Sequence, residues 1–100
     1  MGLDFAIDEL YATGWTDLSP EGCARHHDGR AYPSVTRVAQ EFAEAGCTLR
    51  LRHIQLFDCT RAEWIDAGGA CLGAVVGQHE SEAAVYALSQ FRRSMATMAS

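Results

Sequence analysis

Apolar residues recur along this chain with two different periods, and the changes of period divide it into elements. Leu3, Ile7, Leu10 and Tyr11 fall at i, i+4, i+7 and i+8, one stripe of a short helix. Asp4 is placed to cap its start and Gly14 to stop it. A helix this short persists only with tertiary contacts, and Trp15, immediately after it, is the residue expected to pin it down. Val35, Val38, Ala39, Phe42 and Ala43 repeat the helical spacing, with Pro33 in the first turn and Gly46 at the C′ position. From Thr48 the period falls to two. Strands are predicted over 48–57, 60–66 and 70–76, joined by turns at Asp58-Cys59 and Ala67-Gly68-Gly69. Connections this short imply an antiparallel meander. Ala84, Val85, Leu88 and Phe91 then mark a closing helix, with Ser81 as its N-cap and Arg92-Arg93 near its C-terminal end. Residues 94–100 are expected to fray. The stretch 16–32 carries no period; Pro20, Gly22 and the Asp28-Gly29 turn signal mark it as irregular.

Two helices flanking a meander predict an α+β fold: a two-layer sandwich with both helices on one face of a three-stranded antiparallel sheet, plus the short N-terminal helix. One hundred residues, 48% hydrophobic and 21% charged, suit a single domain spanning 1–100. Its core is expected within about 33–93, with 1–32 supplying the first helix and the irregular segment.

The element order resembles that of the double-stranded-RNA-binding domain over about residues 33–93. It is also similar to small helix–sheet sandwich domains of unknown function in bacteriophage proteins, on the leading helix, Trp15 and Trp64, and the Ala-rich stretch EAAVYAL. The resemblance implies the sandwich. It does not carry over RNA contacts, because the stretch His79-Glu80-Ser81-Glu82-Ala83-Ala84 is acidic where that family presents basic residues, and the Phe57-Asp58-Cys59-Thr60 hairpin is too short to enter a groove.

Charge sharpens the exclusion. The net charge is −5, and residues 1–22 hold five acidic side chains with no basic one. Duplex nucleic acid is therefore not an expected partner. All eight basic residues are arginine, which suits anion recognition but is better explained as the mark of a GC-rich genome. The four cysteines follow an N-terminus with no basic and apolar leader, and no apolar run reaches membrane-spanning length, so a reduced, cytoplasmic protein without membrane contact is expected.

Candidate chemistry is sparse. On the sheet face turned away from the helices, Arg50, Arg52, Ile54, Arg61 and Ile65 form a mixed arginine and aliphatic surface, expected to be covered by the N-terminal segment or to meet a second chain in preference to binding an anionic ligand. The register expected from a turn at Asp58-Cys59 sets Ile54 opposite Glu63, Arg52 opposite Ile65 and Leu56 opposite Arg61. Cys23, His26 and His27 are metal-ligand types at short spacing, but a zinc site needs a fourth ligand and no second Cys/His pair is present. No metal or other cofactor is expected on that basis. Cys23, His26 and Asp28 are also the residue types of a nucleophilic triad, yet all three lie in one loop. The reading is a non-catalytic module that binds a protein partner, itself included. The alternatives are anion or nucleic-acid binding through the arginine face, and third a small enzyme or metal-binding protein.

Overall fold

The computed structural model describes residues 2–15 and 22–99, the final turn (96–99) as backbone alone. The elements are α1 (Leu3–Ala12), β1 (Cys23–Arg25), β2 (Ala31–Pro33), α2 (Val35–Glu44), β3 (Thr48–Ile54), a 3₁₀ turn (Gln55–Phe57), β4 (Cys59–Ile65), β5 (Cys71–Gly77) and α3 (Glu80–Ala99). β3, β4 and β5 form the expected antiparallel meander, and α2 and α3 cover one face of it. β1 and β2 add a two-stranded antiparallel hairpin inside the stretch read as irregular. The rest of that stretch, residues 16–21 with Pro20, lies outside the described residues.

The core is built from the predicted stripes. Val38 and Phe42 of α2 are fully buried, as are Ala84, Val85 and Leu88 of α3, and Phe91 packs at their edge. Phe42 links the layers, with its ring centroid 5.7 Å from Trp64 and 4.7 Å from Phe91. α3 buries more than one stripe, since Ala83 and Ala87 are also sealed. The cause is α1, which packs along α3 and inserts Ala6, Ile7 and Leu10 into the same core. The core therefore reaches well outside 33–93. Trp15 is 4% exposed, and its indole N–H donates to Glu41 (3.2 Å), tying the end of α1 to α2.

Helix ends differ from expectation in instructive ways. Gly2, not Asp4, is the N-cap residue of α1. Ser34 caps α2 by accepting from the Arg37 N–H (3.2 Å), so Pro33 closes β2 instead of opening the helix. Ser81 lies within the first turn of α3, where Glu82 reaches back to accept from the Gln78 N–H (2.8 Å). α3 continues to Ala99 and so includes most of the segment expected to fray. Arg92 and Arg93 stand well inside it: Arg92 donates to the Thr13 hydroxyl (2.8 Å) and Arg93 pairs with Glu9, both on the side of α1.

The hairpin register is the main correction. β3 ends at Ile54, three residues tighten into a 3₁₀ turn, and Asp58 takes a left-handed conformation (φ 47°), which aspartate tolerates better than most residues. The pairs are thus Arg50–Glu63, Arg52–Arg61 and Ile54–Cys59, with Ile65 opposite Thr48 and Leu56 outside the strand. The partner of Ile54 shifts by four positions from the expected Glu63. An even shift conserves the face of every residue, so Leu49, Leu51, Ala62, Trp64 and Val75 still meet the core.

Candidate metal centre

Asp4, Asp8 and Tyr11 fall at i, i+4 and i+7 and share one polar face of α1. The β1–β2 hairpin lies against that face. Tyr11 donates its hydroxyl to the Ala31 carbonyl, Asp8 pairs with Arg30, and Asp4 meets the Nε2 atom of His26. His26 is fixed in turn by its backbone: its N–H donates to the Arg30 carbonyl (2.8 Å), and its carbonyl accepts from the Gly29 N–H (2.9 Å). Gly29 occupies the left-handed region (φ 93°), as the Asp28-Gly29 turn requires.

His27 follows with its ring centroid 4.0 Å from that of His26, the planes inclined by 51°. One ligand atom from each of Asp4, His26 and His27 lies within 4.8 Å of the other two. A tetrahedral zinc ion with bonds of about 2.0–2.2 Å holds its ligand atoms roughly 3.3 Å apart. A spread of up to 4.8 Å is somewhat wider than that of a coordinated set. His26 is the anchored member, its side chain 11% exposed, while Asp4 is 61% exposed.

The electrostatics favour a cation. Arg30 pairs with three carboxylates, those of Asp4 (3.7 Å), Asp8 and Asp28 (2.8 Å). Three negative charges sharing one guanidinium leave this network two charges short of neutrality. The Asp28 carboxyl titrates below the usual carboxylate range, chiefly because it accepts the Arg30 backbone N–H (3.0 Å) and also its side chain. The Arg30 guanidinium is held more firmly protonated, first by Asp8 and then by Asp28. Arg25 turns to the Gly29 carbonyl (2.9 Å) across the loop.

Of the sequence candidates, His26 and His27 come together here and Cys23 is not part of the group. Cys23 starts β1 and packs against the core. Of the residue types of a single-loop triad, Asp28 is engaged by Arg30 and the Nε2 atom of His26 meets Asp4. Asp4 was invisible as a ligand. It lies 22 residues before His26, and in sequence it reads as a helix cap. The sequence holds one faint signal that could have found it, two acids at i, i+4 on the polar side of α1 with a His-His pair downstream.

The arginine face is a separate surface. Arg50, Arg52 and Ile54 of β3 share it with Arg61, Glu63 and Ile65 of β4. Glu63 is only 8% exposed, and both Arg52 (3.1 Å) and Arg61 (3.8 Å) turn to it. Two of the three arginines thus already face a carboxylate of the same sheet. The first helix does not cover this face, because it packs on α3.

No protein-family model matches the chain, and neither the curated proteins nor the solved structures give a match. Among the described residues, no helix is long and apolar enough to cross a membrane.

Proposed function

We propose that this protein binds a divalent transition-metal ion of the zinc class through Asp4, His26 and His27, and that the ion fastens α1 to the β1–β2 hairpin. The observation that carries the reading is the convergence of three ligand atoms from two separate elements within 4.8 Å. Two imidazoles with one carboxylate suit zinc and its first-row neighbours, whereas magnesium and calcium prefer oxygen-only sets. Three protein ligands leave a position for water, and the exposure of Asp4 keeps that position open to solvent. Without metal, His26 and Asp4 hold each other by a hydrogen bond; metal binding exchanges that proton for the ion.

A staple of this kind has a thermodynamic signature. Metal that binds only the folded chain stabilises it by about 2.7 kcal/mol at a free concentration of 100 Kd. For a domain of this size that raises Tm by roughly 10–20 °C. Thermal unfolding with and without zinc, followed by circular dichroism, should show this rise in the wild type and its loss in Asp4→Asn and His26→Ala. A zinc-independent Tm in the wild type, or an undiminished rise in both variants, would refute the proposal.

A further inference from the structure

We infer that the free edge of β5 is a docking surface for a second copy of this chain, by antiparallel pairing of one β5 with the other. The sheet order is β3-β4-β5, so β3 and β5 are its two edges. Edge strands template further pairing unless charge, proline or a strong bulge blunts them. The two edges are treated differently here. β3 carries Arg50, Arg52 and His53, so two copies meeting there would oppose like charges. β5 reads Cys-Leu-Gly-Ala-Val-Val-Gly, with no charged residue and no proline. Its bulge sits at the Leu72 end, which leaves the run from Gly73 to Gly77 regular.

The lack of charge along β5 permits the occupant to be a copy of itself, which the arginine-bearing edge of β3 does not. A two-fold axis through the middle of β5 sets the run from Gly73 to Gly77 against the same run of the second copy, and with no charge in it no like charges are opposed. Large apolar side chains of β5 are also exposed, and a cleft that Asp66 and Ser94 help to line opens at its Leu72 end. Leu72 is 53% and Val76 50% exposed, and Leu72 and Met95 (52% exposed) rim this cleft of about 430 Å³, lined also by Trp64 and Phe91. Among the described residues, no strand pairs with the outer edge of β5. An interface built on one strand falls at the small end for dimers, below about 1,200 Å², so association should depend on concentration.

Two charge variants test this without disturbing the fold. Ala74 faces Glu63 across the sheet and Val76 faces Arg61, so Ala74→Lys and Val76→Glu each gain an opposite charge within their own sheet. Across a two-fold near Ala74 and Val75, each variant repels itself and attracts the other. Sedimentation from about 10 µM to about 1 mM should show the wild type moving toward twice its 10.9 kDa mass. Each variant alone should stay monomeric, and an equimolar mixture should restore the dimer. A wild type that is monomeric throughout, or variants that dimerise alone as well as it does, would overturn the inference. So would a mixture that remains monomeric while both variants keep the wild-type circular dichroism.

Discussion

Replacing Gly73 by Ala should destabilise this protein although it removes the most flexible residue from a strand. Gly73 lies directly opposite Trp64, whose indole crosses the glycine. A Cβ at position 73 would come within 3 Å of three atoms of the six-membered ring, including Cε2 at 2.8 Å and Cη2 at 2.9 Å. The ring cannot swing away cheaply, because Phe42 packs on it and Phe91 packs on Phe42. Overpacking of this kind costs about 1–3 kcal/mol, against a gain of roughly 0.5–1 kcal/mol from reduced unfolded-state entropy. The net loss is at most about 2.5 kcal/mol, and with three contacts under 3 Å it should fall in the upper half of that range, a drop in Tm of roughly 5–20 °C. Urea unfolding followed by Trp fluorescence and circular dichroism measures it. Trp64→Phe shortens the ring that causes the clash, so the cost of Gly73→Ala should largely vanish in that background. Equal stability of Gly73→Ala and wild type, or the same cost with Phe at 64, would refute the reasoning.

Phe42→Ala should cost about 3–5 kcal/mol in the same assay, since the ring is fully buried at the junction of both helices and the sheet; a loss below about 1 kcal/mol would show that the site is not the core described. Glu63→Ala leaves Arg52 and Arg61 facing each other across β3 and β4 with no carboxylate between them. The loss should be about 1 kcal/mol and should shrink with added salt, and salt-independent urea midpoints would contradict the electrostatic origin. The folded pKa of Asp28 lies below its unfolded value. Its stabilising contribution is therefore present above about pH 4 and is lost as pH falls through the lower folded pKa. An acid-unfolding profile of Asp28→Asn should consequently be flatter than that of the wild type on its acid limb, and parallel profiles would disprove the assignment.

Much of the fold was legible because long-range burial writes itself as local period. The stripes through Val38 and Phe42 and through Val85 and Leu88 specified two helices and the face each buries. Alternation in β3 specified which side of the sheet holds Leu49 and Leu51, and this survived a wrong register because the error was even. The register itself was not legible, since nothing in Gln55-Leu56-Phe57 separates a continued strand from a 3₁₀ turn. β1 and β2, three residues each, are too short for any period, although Asp28-Gly29 announced the turn between them. The candidate metal centre was half legible. His26 and His27 stood out by type, Cys23 drew attention by proximity, and Asp4 joined only once α1 was seen against the hairpin.

Equilibrium dialysis against micromolar zinc, with metal and protein both quantified, tests the proposed centre most directly. Wild type and Cys23→Ser should each retain about one zinc per chain, while Asp4→Asn, His26→Ala and His27→Ala should retain far less. Loss of zinc in Cys23→Ser with retention in Asp4→Asn would contradict the account, and so would a wild type that binds none.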